Sequence, residues 1–293
     1  LIEIIELAAR ELSNEAGQQF SQLSFDAERQ MVVICAHRPT RIPNTASVLY
    51  LDATADELLT EPYLPRLTFH RLDVMQRAVV TQVTDRSGSK AFWTERLKEE
   101  HENLLAPEYD PSNNDLSKLI AILNNWAQAG ELPLLVGHKA LCDFVRQHPR
   151  LFKIVKVAHF QALRGSNAYE QCSVIFIAGR NQPPHAGILQ QARSIFGNDG
   201  TALANVQLDN LPTEQLDYWI SARSNHQPSA ISLPSFADPC VAAVQRQSRE
   251  AETVQAIARL RLVWSKYQKR VFLLSNLPIE MPIDHLVEFN ELL

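Results

Sequence analysis

The chain has 293 residues, 45% hydrophobic and 21% charged, and 28 Lys+Arg against 33 Asp+Glu leave a formal net charge of -5. At ~100–200 residues per domain this length suggests two domains or one large one, with apolar content enough for a sizeable core. The longest apolar runs, 31–36 and 174–178, fall far short of the ~18 residues of a membrane span, so no membrane partner is expected.

Mild acidity argues against tight binding of nucleic acid by the whole surface, although a local basic groove is compatible with it. Cys35, Cys142, Cys172 and Cys240 form no C-x-x-C pair, and no basic N-terminal stretch leads into an apolar run. These features predict reduced thiols, a cytoplasmic location and no structural zinc. The nine glycines contain no G-x-G-x-x-G, and none precedes a lysine. A Rossmann fingerprint and a Walker A phosphate loop are therefore both excluded from this chain.

In chain order, residues 1–30 are polar and helical in pattern. The amphipathic spacing of Leu1, Ile4, Ile5, Leu7, Ala8 and Leu12 is already running at the first residue, as expected of a piece of something longer. The run 31–36, closed by Arg38-Pro39, predicts a buried strand. A second strand is predicted over 48–51, ending in Asp52-Ala53-Thr54-Ala55-Asp56 with a helix soon after.

Pro62 and Pro65 place a linker near 60–68, followed by β-rich stretches at 68–72 and 79–84 and the polar segment 85–90. From 115 onward the pattern alternates: helix 115–129, strand 132–136, helix 139–148, strands 153–157 and 173–178, helix 185–196. Such alternation predicts an α/β fold, a parallel sheet with helices on both faces. The stretch 197–240 reads as an irregular insertion with a short helix over 214–222. A long helix over 242–264, a strand over 270–274 and a last helix after Pro282 complete the chain.

Ligands of doubly wound sheets sit beyond the carboxyl ends of the strands, which singles out polar residues that follow apolar runs. Four places qualify: 52–56, Gly137-His138-Lys139, Arg164-Gly165-Ser166-Asn167 and Gly179-Arg180. Ser87, Ser89 and Lys90 offer two hydroxyls and a charge to a phosphate backbone. On the long helix, Gln255 and Arg259 are four apart and share a face, with Arg261 nearby. A guanidinium suits phosphate because its fork donates two parallel hydrogen bonds and keeps its charge. No H-E-x-x-H, paired metal spacing or nucleophile elbow appears, so no metal site is expected.

In order, these segments resemble the trailing motifs of superfamily-two nucleic-acid helicases, above all the DNA-unwinding branch of nucleotide-excision-repair helicases and their phage and mobile-element relatives. Leu51-Asp52-Ala53-Thr54-Ala55 looks like the Ser-Ala-Thr motif that couples two motor domains, and the segment 133–141 like the strand motif opening the second one. The segment 160–167, continuing to Gly179-Arg180, is similar to the motif touching both phosphate and nucleic acid. Gln255 to Arg261 resembles the closing motif with its arginine finger. Asp52 stands in place of Ser, Ala258 in place of Gly, and Arg261 comes one position early.

The resemblance implies a remnant of a first RecA-like motor domain at 1–60 and a second RecA-like motor domain, of P-loop NTPase fold, at 68–293. Gln255, Arg259 and Arg261 would be catalytic. Gly165, Ser166, Asn167, Asp52 and Thr54 would address the nucleotide, and His138, Lys139, Ser89 and Lys90 the nucleic acid. It further implies ATP and Mg2+ only in a longer protein that carries the phosphate loop, none for this chain alone, and weak binding of single-stranded or forked DNA. The partner would be an N-terminal motor domain. From a different class comes a non-catalytic interaction module, a helicase-like domain serving as adaptor for nucleic acid or protein.

Overall fold

The computed structural model describes residues 5–6, 9, 23–26, 29–34, 42, 46–72, 74, 76–103, 114–148, 151, 153–163, 165–197 and 211–292. The chain divides into two compact units, one of 1–71, 183–214 and 234–248, the other of 72–182, 215–233 and 249–293. The first unit thus takes in two later segments besides the N-terminal 71 residues.

The second unit is built on six parallel strands. β3 (Ala78–Val83), β4 (Pro133–Gly137), β5 (Lys156–His159), β6 (Val174–Ala178), β9 (Lys269–Leu273) and β10 (His285–Val287) pair in the order β10-β3-β9-β6-β4-β5. The α/β class and the parallel sheet agree with the sequence reading. β4 and β6 are buried at every position, as continuous apolar runs are when both faces of a parallel sheet are covered.

Period-two alternation sorts the strand residues between two cores. On one face Val80, Leu134, Val136, Ile175, Ile177, Val271 and Leu273 pack with Phe160, Leu163, Ala256, Ile257, Leu260 and Leu262. On the other, Val83, Leu135, Val174 and Phe176 pack with residues of α2 (Lys90–Asn103), α3 (Asp115–Gln128) and α4 (Lys139–Gln147). Each of the first two helices is started by a polar side chain. Ser89 Oγ accepts from Phe92 N–H (3.1 Å), and Asn114 Oδ1 accepts from Leu116 N–H (2.8 Å).

The first unit contains the antiparallel pair β1 (Leu23–Asp26) and β2 (Met31–Ile34), the short helix α1 (Glu57–Thr60), α5 (His185–Phe196) and α6 (Pro239–Arg246). Its core is Ile188, Leu189, Ala192, Ile195 and Phe196 against Phe236, Val241, Ala242 and Val244.

Several local expectations are corrected. The run 31–34 is a strand but an exposed one, with Met31 57% and Val32 61% accessible, and its partner 23–26 lies where a helical pattern was read. Residues 48–51 form no strand, and Leu49 and Leu51 are both 82% exposed. No strand forms over 68–72. The helix expected at 214–222 is instead β7 (Thr213–Asp217), paired with β8 (Ala230–Pro234); a segment this short takes its form from its partner. After Pro282 comes β10 and a 3₁₀ turn, Phe289–Leu292, rather than a helix.

The long helix of 242–264 is divided: α6, a π-turn at Gln247–Ala251, then α7 (Glu252–Ala258). Burial explains its end. Leu260 and Leu262 are 0% and 3% exposed, yet residues two apart on a helix point about 200° from each other. The helix has therefore ended, at Ala258, before both can turn inward, with Arg261 in the left-handed region at φ 54°.

Candidate functional site

The strand order reverses direction between β4, which leads through α4 to β5 on one side, and β6, which leads on to β9 on the other. A crevice beyond the carboxyl ends of the strands at such a point is the usual ligand position. His138 follows β4 directly, Gly179 and Arg180 follow β6, and the loop after β3 brings in Gly88, Ser89 and Lys90.

Two glycines allow these loops to touch. Gly88 has φ 57° and Gly179 φ 107°, and a Cβ on Gly179 would overlap the Gly88 carbonyl oxygen. The imidazole of His138 lies against the same glycine. Its Nε2 is buried with no hydrogen-bond partner, and its ring meets Phe160 edge-on at 5.6 Å. Burial, assisted by the nearby Lys90 charge, pushes the His138 pKa down to about 4, so the ring is neutral at pH 7. Lys90 is exposed at the first position of α2, where the free backbone N–H groups also favour an anion. Lys139 is exposed in the first turn of α4.

Arg180 lies at the same rim, only 8% exposed. Its Nε donates to Gln182 Oε1 at 3.0 Å, and one terminal nitrogen is buried without a partner. Arg249, 2% exposed within the π-turn, is held by the carboxylate of Glu250.

The segments 160–167 and 252–261 lie along one another on one face of the sheet. Gln161 N–H donates to Glu252 Oε1 (2.8 Å) at one end, and Arg261 donates to Asn167 Oδ1 (2.7 Å) at the other. Gln255 and Arg259 keep a shared face, since Arg259 continues the last turn of α7 with φ −64°. The Arg259 Nε is buried without a partner. Glu250 and Glu252, adjacent to the arginines in sequence, pair instead with Arg249 and Gln161.

The expectation that Asn167 lies beyond a strand's carboxyl end does not hold, and Arg261 lies away from that rim with it. Lys269, the first residue of β9, donates to the carbonyls of Leu260 (2.7 Å) and Glu170, and Leu262 accepts from Arg77 N–H just before β3. The Arg261–Asn167 pair thus lies at the amino edge of the sheet, opposite His138 and Arg180. The reason is topological: both segments run from the carboxyl rim back to the start of a parallel strand.

Gly165 has φ 72° with open space around the missing Cβ, and Ser166 Oγ accepts from Ala168 N–H, so both shape the loop that carries Asn167. Arg164 lies outside the described residues. In the other unit, Asp52 Oδ1 accepts from the N–H and hydroxyl of Thr54, and Oδ2 from the Tyr50 hydroxyl. The cap of α1 is Asp56, whose side chain accepts from Leu59 N–H.

Sequence reasoning passed over Arg249 and marked Arg180 only together with Gly179, as the end of the motif touching phosphate and nucleic acid. Arg180 carried a signal, a cation placed straight after a fully apolar strand. Arg249 follows no strand and stands beside Glu250, so it carried no such signal. Among the described residues no group of three or more His, Cys, Asp or Glu could hold a metal ion, and no helix is long and apolar enough to cross a membrane. Burial raises the Cys142 and Cys172 thiols to about 11, which leaves them inert as nucleophiles.

Fold and rim together define an α/β parallel-sheet protein with cationic and imidazole groups gathered at the switch point. No family model, curated protein or solved structure matches the chain.

Proposed function

We propose that this chain is the second RecA-like motor domain of a superfamily-two DNA helicase, acting on ATP gripped by a separate motor domain. The observation that supports this reading most is the joining of the two motif-like segments, 160–167 and 252–261, by the Gln161–Glu252 and Arg261–Asn167 bonds. A helicase of this kind needs its phosphate-sensing loop and its arginine helix to move as one body.

In such a motor the finger must face the sheet's ligand-bearing rim, and Arg261, tied to Asn167 at the amino edge, does not meet that requirement. Arg259, with no partner for its Nε, is the finger in this reading; Arg261, held by Asn167, is a positioning residue. Lys90, Ser89, Lys139 and His138 then meet DNA phosphates at the opposite edge. Mg2+ and ATP belong to the assembled motor.

The test uses the protein that carries the phosphate loop. Arg259→Ala lowers ATP turnover by about 10³- to 10⁵-fold while nucleotide affinity is retained, the usual size of a finger's effect. Undiminished turnover removes Arg259 from this role and favours the adaptor reading instead.

A further inference from the structure

A buried guanidinium is costly unless an anion completes it, because arginine cannot shed its proton and removing an uncompensated charge from water costs several kcal/mol. Arg249 is balanced by Glu250, whose carboxylate takes both its Nε and a terminal nitrogen. Arg180 is not balanced. It is more than nine-tenths buried, its Nε meets only the neutral amide of Gln182, and a terminal nitrogen has no partner. Burial and, after it, the Arg249 charge both work against the Arg180 cation, and the Glu250 carboxylate, already bonded to Arg249, offsets them only in part.

We infer that Arg180 is the centre of an oxyanion subsite, taking a phosphoryl group at the switch point between β4 and β6. Three independent features build the site. The Gly179 backbone at φ 107° turns the chain so that Arg180 comes immediately off β6 with no side chain before it. A second buried polar atom without a partner, His138 Nε2, faces the same glycine. The π-turn, a rare local form concentrated at functional sites, holds Arg249 within electrostatic reach of Arg180. A dianion fits this balance: it supplies the acceptor that the Arg180 terminal nitrogen lacks and relieves the repulsion between the two arginines. The subsite deepens the helicase reading, in which Gly179-Arg180 continues the motif touching phosphate and nucleic acid, and the two fail separately, since a phosphoryl group can bind here whether or not a DNA strand follows.

The experiment is thermal unfolding of the chain in increasing inorganic phosphate against sodium chloride at matched ionic strength. The wild-type Tm rises saturably, by about 5–10 °C at ~100 times Kd. Arg180→Leu loses that response while its Tm in chloride is equal to or above that of the wild type, because the uncompensated charge has gone. Arg180→Lys, which keeps the charge but not the fork, keeps the fold and binds phosphate at least about tenfold more weakly. A wild-type Tm that follows ionic strength alone, or an Arg180→Lys protein that titrates like the wild type, overturns the proposal. A short oligothymidine then separates the sources. Competition with phosphate that vanishes in Arg180→Lys assigns the subsite to a nucleic-acid backbone, and phosphate binding untouched by the oligonucleotide assigns it to a free phosphoryl compound.

Discussion

The two edges of the sheet carry similar side chains and use them differently. At the amino edge cations act as ties: Lys269 joins the Leu260 and Glu170 carbonyls, Arg261 joins Asn167, and Arg77 reaches the Ser265 carbonyl. At the carboxyl rim, Arg180 and His138 each have a buried nitrogen with nothing to bond. Unmet hydrogen-bonding capacity in a buried place is a standing cost; Arg259 Nε shares it elsewhere, but the rim is where two such groups flank one glycine, Gly179, and these we read as held in reserve for a ligand.

The contrast is open to direct attack. The largest structural effect is expected from Gly179→Ala, which combines a left-handed backbone with overlap on the Gly88 carbonyl. The loss should be about 3 kcal/mol in urea unfolding. Gly165→Ala, strained in φ but meeting no atom, should lose only about 1–2 kcal/mol. Equal losses at the two glycines would show that the Gly88–Gly179 approach does not constrain the rim.

Next comes Lys269→Met at the amino edge. It leaves the two carbonyls without their donor and should destabilise by about 1–3 kcal/mol. The contrast with Arg180→Leu, neutral or stabilising in chloride, is the sharpest test of tie against reserve.

The third test is pH. His138 is neutral in the fold, with its pKa depressed to about 4 from the ordinary 6.5. A depressed folded pKa makes protonation favour the unfolded chain, so its stabilising share is full above pH 6.5 and is lost as the pH falls toward 4. His138→Asn should flatten the stability profile across that window, and an NMR titration of the ring should show no protonation near 6.5. The smallest effect belongs to Arg261→Met. Its bond to Asn167 is exposed and should contribute under about 1 kcal/mol, readable only in a double-mutant cycle with Asn167→Ala.

The apolar runs 174–178 and 31–34 show what composition alone can misjudge. Both are β-branched and both form strands, yet the first is buried at every position and the second is largely exposed. A strand's own residues state that it can be covered; the neighbouring layers decide whether it is.

The candidate site was legible to a similar degree. His138, Lys90 and Gly179 were marked by following or flanking strands. Asn167 and Arg261 were marked individually, but their bond joins residues 94 apart in sequence and has no local trace. The paired role of Arg249 was hidden because its partner is its next neighbour in sequence.

Alternating patterns thus determined the class: strands, helices and their order follow from local periodicity, which needs no knowledge of distant residues. Tertiary structure alone decided which edge each polar group occupies and which of them remain unsatisfied. That depends on where crossovers return across the sheet, on two glycines that let loops after β3 and β6 touch, and on burial, which turns an ordinary arginine into one that awaits an anion.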